Sequence, residues 1–123
     1  MLGRMFAQNN IIGTAMQASV LRNDVILNNI ANADTPNFSR SVVDFEDTLA
    51  ASVDQHRRTG NLDLSRAVPT VRRIDALSFR LDGNNVDIES EMVNFFDNAV
   101  RYDVMATSIM SNYRRINMVI TTR

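Results

Sequence analysis

Apolar residues recur along the last third of the chain with alternating steps of three and four positions. This spacing gives a 3.5-residue period over about four heptads, the pattern of a helix with a coiled-coil-like seam. At 1.5 Å per residue the seam is roughly 40 Å long. The members of this C-terminal stripe are Met92, Phe95, Ala99, Tyr102, Ala106, Ile109, Tyr113, Ile116 and Ile120. Phe96, Val100 and Met110 widen the apolar face, which indicates more than one packing partner.

The start of this helix is marked by charge. Asp87 is the expected N-cap, and Glu89 and Glu91 place negative charge in the first turn, where the helix dipole favours it.

The first third of the chain predicts another helix, from about Asn10 to Ala33. Its weaker apolar stripe consists of Ile12, Met16, Val20, Leu27 and Ile30, with Asn23 as an interruption. The segment Asp34-Thr35-Pro36 ends it, because proline disfavours helical geometry in the preceding residue.

Between the helices lies a mixed segment, so the chain divides into residues 1–37, 38–81 and 82–123 within one domain. Phe45, Leu49 and Val53 predict a short amphipathic helix, and Gly60-Asn61 predicts a turn. Residues 68–73 and 77–81 are short extended candidates that pair as a hairpin around Ile74-Asp75. The pattern alone therefore predicts a mainly α protein with a small β element in its middle.

Composition removes several classes of function. The net charge of −1 suggests neither nucleic acid nor an anionic membrane surface as a partner. No apolar run approaches the roughly 20 residues of a membrane span, so direct membrane insertion is not expected. The absence of cysteine excludes disulfides, thiolate zinc sites and cysteine nucleophiles. Residues 1–10 do not have the pattern of a cleavable signal peptide. These observations by themselves favour the cytoplasm.

Catalytic chemistry has little support. His56, the sole histidine, lies beside Arg57 and Arg58 without a carboxylate and nucleophile arranged around it, so we expect a solvated loop residue. No catalytic residue, cofactor or metal ligand is assigned.

An oxygen-rich run invites a calcium-binding interpretation. The run is Asp82-Gly83-Asn84-Asn85-Val86-Asp87-Ile88-Glu89-Ser90-Glu91. Its order does not fit the EF-hand loop, which needs alternate acids, glycine at the sixth place and glutamate at the twelfth. A tight turn feeding a helix explains it better, with Gly83 and Asn84 tolerating positive φ and Asp87 capping the helix.

A second unusual window is rich in asparagine, a poor helix former. It is Asn28-Asn29-Ile30-Ala31-Asn32-Ala33-Asp34-Thr35-Pro36-Asn37-Phe38. Its amides are suited to hydrogen-bonding the backbone of a neighbouring chain while Ile30 stays in the seam. A frayed helix end explains the same residues equally well.

The window 28–38, the asparagine motif, closely resembles the NNIANxxTPGY-type signature of the flagellar axial proteins that form rod, hook and hook junctions. Residues 82–92, reading DGNNVDIESEM, resemble the DGNNVDxxxEM signature of a proximal-rod branch of that family. Both motifs occur in the expected order in a chain of the expected size. Asn37 and Phe38 stand where the family usually has glycine and tyrosine.

This resemblance implies a structural subunit that assembles helically and transmits torque. It implies an elongated molecule whose N- and C-terminal helices pair as a coiled-coil-like bundle. The implied location is the basal body, in the periplasm, after type III export without signal cleavage, which overrides the cytoplasmic expectation. The implied partners are copies of itself, other rod proteins, the adaptor between membrane ring and rod, and the export apparatus.

The expected assembly interface comprises the C-terminal stripe and both motifs. From the motifs it includes Asn28, Asn29, Ile30, Ala31, Asn32, Asp34, Thr35, Pro36, Phe38, Asp82, Gly83, Asn84, Asn85, Val86, Asp87, Glu91 and Met92. Two alternatives remain. A cytoplasmic coiled-coil adaptor or chaperone explains the seam, and a small calcium-binding module explains the acidic run.

Overall fold

The computed structural model describes residues 2–75, 78 and 80–121, omitting the side chains of Leu2 and Arg4. In this part of the chain the elements follow in the order α1 (Leu2–Ala31), β1 (Ser41–Asp44), α2 (Glu46–Thr59), β2 (Thr70–Arg73) and α3 (Ile88–Thr121). The mainly α class is confirmed. None of the helices in the described ranges has the length and apolar character needed to cross a membrane.

Helix α1 is longer than predicted. It begins at Leu2, well before the expected start near Asn10, because the residues between include several good helix formers and no proline. It ends at Ala31, just before the expected end at Ala33. The Asn28 carbonyl accepts from both the Asn32 backbone N–H, at 3.2 Å, and the Asn32 side-chain amide, at 2.8 Å.

Helix α3 begins as predicted after Asp87. The Asp87 carboxylate accepts from the Glu89 backbone N–H at 3.1 Å and from the Ser90 hydroxyl at 2.6 Å. The Ser90 hydrogen bond holds the pKa of the Asp87 carboxyl below its usual value. The helix has 34 residues, so it is roughly 50 Å long. It packs along α1, which confirms the paired terminal helices.

Helix α2 confirms the predicted amphipathic segment and its closing turn. Phe45 precedes the helix and is buried, while Leu49 is half-buried. Gly60 follows with φ of 73°, and its N–H donates to the His56 carbonyl at 2.8 Å. His56 therefore lies in the last turn of α2 and is half-buried, so its expected place in a solvated loop is wrong.

The middle segment contains two antiparallel strands, which confirms the predicted small β element. Strand β2 pairs with β1, Val43 opposite Val71. The sequence predicted residues 77–81 as its partner. Leu77 and Phe79 of that expected strand lie outside the described residues. The observed pairing brings Val43 into the core, which the local hairpin would have left uncovered.

The core is small and lies where α1 meets β1 and the start of α2. Its buried members are Ala18, Val43, Phe45 and Ala67, with Ala15, Leu21, Val25, Leu49 and Leu64 packed against them. Much of the large apolar side-chain surface of α1 and α3 lies outside this core and is exposed.

Candidate functional site

The two sequence motifs meet in the folded chain, with Asn84 at their centre. Asn84 is 0% exposed. Its side-chain amide donates to the carbonyl oxygens of Asn32, Ala33 and Thr35 at 2.9, 3.0 and 2.8 Å. Its side-chain oxygen accepts from the Val86 N–H at 2.7 Å. One amide thus holds the turn that follows α1 against the turn that precedes α3.

Asn37 and Gly83 form a second contact between the motifs. Both have left-handed backbones, with φ of 59° for Asn37 and 76° for Gly83. The positive φ of Gly83 was predicted. Asn84, which was expected to tolerate a positive φ, does not have one. The Asn37 N–H donates to the Asp82 carbonyl at 2.8 Å. A Cβ on Gly83 would lie 2.6 Å from Asn37 Oδ1. Asparagine is among the side chains that best tolerate this backbone region, which explains how it can stand where the motif that the chain resembles has glycine.

Asn29 joins α1 to β1 and α3. It is 0% exposed, and its amide exchanges two hydrogen bonds with the backbone of Ser41, at 2.8 and 2.9 Å. The same amide donates to Glu91 Oε2 at 3.0 Å. Glu91 is 1% exposed, and its other oxygen lies 2.6 Å from the Arg40 guanidinium. A buried carboxylate is costly unless it is paired, and these two partners supply the pairing.

The Asn85 side chain bonds backbone groups of both strands just beyond the end of the sheet. Its side-chain oxygen accepts from the Arg40 N–H at 2.7 Å, and its amide donates to the Ile74 carbonyl at 2.8 Å. It thereby closes the end of the β1–β2 ladder.

These contacts answer why the asparagines are there. The amides of Asn29, Asn32, Asn84 and Asn85 bond the backbone of their own chain, so the order of this region excludes a frayed helix end. Asn28 is exposed at the end of α1. The contribution of the motif residues to contacts between chains stays a prediction.

The acidic run also has partners within the chain. The Asp82 carboxylate accepts from the Asn84 N–H at 3.1 Å and from Arg80 at 2.8 Å. Together with the Asp87 cap, these bonds describe a turn that feeds a helix.

The contact between α1 and α3 is polar at its centre. Three rungs of this polar ladder join Asn9 to Asn112, Ser19 to Asn98, and Asn29 to Glu91. Their side-chain hydrogen bonds measure 2.8, 2.8 and 3.0 Å. Along the ladder the residue numbers rise on α1 while they fall on α3, so the two helices run antiparallel. The Ser19–Asn98 and Asn9–Asn112 rungs were not predicted, and neither was the contribution of Arg40. The spacing of residues 91, 98 and 112 in multiples of seven was the signal that could have found the rungs.

The C-terminal stripe lies beside this ladder. Phe95, Ala106, Ile109 and Ile116 are half-buried at the edge of the contact, while Met92, Ala99, Tyr102, Tyr113 and Ile120 are exposed. On α1 the expected stripe is rotated as well, since Val20 and Leu27 are exposed and Ala18, Ser19, Ile26 and Asn29 are buried. Because the polar side chains satisfy each other's hydrogen bonds, they occupy the centre of the contact between the helices, and the apolar stripe lies at its edge.

The back of α3 carries a further apolar row. Its members are Val93, Phe96, Val100 and Val104, which are 60–67% exposed. Two grooves flank the Ser19–Asn98 rung. One, of about 370 Å³, includes Leu49, Val100 and Val104, and the other, of about 310 Å³, includes Phe95, Ala99 and Tyr102. The helix pair therefore buries polar groups and presents apolar surface on several sides.

Comparison with known proteins gives the following relatives. No family model matches the chain. The chain is 39% identical over 116 residues to the flagellar basal body rod protein FlgB of Borrelia hermsii, covering 81% of this chain and 85% of that protein. It is 36% identical over 107 residues to the protein of the same name from Yersinia enterocolitica, with coverages of 76% and 78%. The corresponding protein of Cereibacter sphaeroides (strain ATCC 17029 / ATH 2.4.9) is 36% identical over 119 residues, with coverages of 89% and 91%.

Proposed function

Since this chain belongs to the FlgB family of flagellar basal body rod proteins, we propose that it is a structural subunit of the rod that joins other subunits through its terminal helices. The exposed apolar surface of the helix pair carries this proposal. A soluble monomer seldom leaves so many large apolar side chains in water, and such surfaces mark sites of protein association.

The row on the back of α3 and the C-terminal stripe are the contact surfaces in this proposal. Val93, Phe96, Val100 and Val104 each keep more than half of their surface exposed. Burying the remainder contributes about 1 kcal/mol for each side chain. Contacts of this size, repeated around a helical assembly, support transmission of torque without any single strong interface.

The two motifs have a different part in the same function. Asn29, Asn84 and Glu91 are buried inside the subunit, so in this proposal they orient α1 and α3 for assembly. The orientation of the outer apolar surfaces depends on this junction.

The proposed setting follows from the family. The subunit lies in the basal body, in the periplasm, after export by the flagellar type III apparatus without a cleaved signal peptide. Its partners are further copies, other rod proteins and the adaptor between membrane ring and rod. It has no catalytic role. The names of the relatives favour this function over a cytoplasmic adaptor or a calcium-binding module.

The test replaces one apolar residue on the outer surface. Val100→Asp places a charge on the back of α3, where burial against a partner leaves it unpaired at a cost of several kcal/mol. Val100 is 62% exposed in the subunit, so the melting temperature of the purified protein stays within a few degrees of wild type. We expect a strain that carries only this variant to make and export the protein yet build no rod and fail to swim.

The matched control is Gln55→Asp, which adds the same charge at an exposed position on α2. We expect this strain to swim normally. Normal swimming by the Val100→Asp strain at wild-type protein levels would overturn the proposal, and so would a large loss of stability in the purified variant.

A further inference from the structure

The two edges of the small sheet differ in how they are covered. The outer edge of β1 is occupied by side chains from α1. The Asn29 amide bonds both the N–H and the carbonyl of Ser41, and Arg22 donates to the Val43 carbonyl at 3.4 Å. This edge has no room for another strand.

Among the described residues, nothing pairs with the outer edge of β2. The Ile74 N–H donates to the Arg40 carbonyl, so the hydrogen-bonded pairs alternate from there along the register, and the N–H and carbonyl groups of Val71 and Arg73 point away from β1. All four residues of β2 are exposed. Within residues 2–75, 78 and 80–121, no strand lies along this edge.

We infer that the outer edge of β2 docks an extended, acidic segment of a different protein, which adds a third strand to the sheet. A two-stranded sheet is marginal by itself, and addition of a strand to an open edge is a common mode of peptide recognition. This site is separate from the helix surfaces of the proposed function.

The apolar side chains of this region specify part of the incoming segment. Val71 lies opposite Val43 of the core, on the same face of the sheet, yet it is 52% exposed. Val68, just before the strand, is also exposed. An apolar residue beside Val71 extends the core across the new strand.

The charge of β2 specifies a second residue of the incoming segment. Asp44 on β1 pairs with Arg72, its Oδ2 lying 2.5 Å from the guanidinium Nε. Arg73 has no ion pair within the described residues, and it lies on the same face as Val71. An acidic residue two positions from the apolar one therefore lies directly opposite Arg73 and forms an ion pair with it.

The same charge argues against a second copy of this chain as the occupant. Arg72 is paired with Asp44, but two β2 strands side by side bring the Arg73 guanidinium groups of both copies onto one small sheet, and like charges on adjacent strands are destabilising.

The test measures binding of three fluorescein-labelled, end-blocked peptides to the full chain. The first places Val and Asp two positions apart in a threonine background, the second has Lys for Asp, and the third has proline for the central residue. We expect the acidic peptide to bind at least about tenfold tighter than the other two, with amide chemical-shift changes centred on β2.

Two variants separate edge pairing from simple charge attraction. Val71→Pro removes an N–H that points outward and leaves the bonds to β1 intact, so we expect it to abolish binding, while Val71→Thr retains binding. Arg73→Glu, at an exposed position, reverses the preference between the Asp and Lys peptides. Equal binding of all three peptides, shift changes away from β2, or retained binding by Val71→Pro would each overturn the inference. So would a dimer of the wild-type chain that Val71→Pro dissociates, since a second copy would then be the occupant.

Discussion

Replacing Asn84 by alanine removes the amide that joins the two motifs. The wild-type side chain is fully buried, and its amide hydrogens serve three carbonyl oxygens while its oxygen accepts one N–H. In Asn84→Ala these groups lose their partners without gaining contact with water.

The magnitude follows from the bonds that are lost. Two amide hydrogens and one oxygen make three good hydrogen bonds, each worth about 1 kcal/mol net, so the free energy of unfolding falls by about 3 kcal/mol. This is a large part of the 5–15 kcal/mol typical of a folded domain. With a urea dependence of about 2 kcal/mol per molar, the unfolding midpoint falls by about 1.5 M.

The assay is urea unfolding followed by far-ultraviolet circular dichroism, with Asn28→Ala as the control. Asn28 is the same residue type in the same motif, but it is exposed, so we expect a change within about 0.5 kcal/mol. A loss below about 1 kcal/mol for Asn84→Ala, or equal losses for both variants, would refute the role assigned to the buried amide.

Further predictions concern the turn before α3. Gly83→Val forces a left-handed valine and a Cβ contact with Asn37, so we expect the free energy of unfolding in urea to fall by at least about 2 kcal/mol. The control Gly13→Ala has open space around a helical backbone, and we expect it to raise the free energy of unfolding by up to about 1 kcal/mol. An unchanged stability of Gly83→Val would show that the turn relaxes. The Ser90 hydrogen bond lowers the Asp87 pKa, so the stabilisation that this bond provides is present above pH 3.8 and is lost as the pH falls below that value. We therefore expect Asp87→Asn to weaken the pH dependence of the unfolding midpoint. Micromolar calcium leaves the melting temperature unchanged; a clear rise would favour a metal site.

Local signals predicted much of the fold. The apolar period located α3, and the Asp87 cap set its start. The spacing of Phe45, Leu49 and Val53 located α2, and Gly60 marked its end. Each of these features depends on residues within one or two turns of each other, so a pattern in the sequence is sufficient to find them.

The pairing of β1 with β2 could not be predicted from the pattern of apolar and polar residues. Strand β1 has four residues, too few for a clear alternation, and its partner lies almost thirty positions away in sequence. The contact faces of α1 and α3 were misplaced for another reason. Buried asparagines such as Asn98 and Asn112 look like surface residues unless their partners are known.

The polar ladder has a mechanical consequence for the helix pair. Apolar side chains slide past one another with a gradual loss of contact, whereas a hydrogen bond fails once its atoms separate beyond about 3.5 Å. The rungs at Asn9, Ser19 and Asn29 recur at intervals of roughly 15 Å along α1, and a slip of one helical turn, about 5.4 Å, takes all of them out of reach together. Shear along the helix axes is therefore shared among three rungs that act in parallel. We expect the pair to stay stiff up to a threshold force and then to yield in a single step.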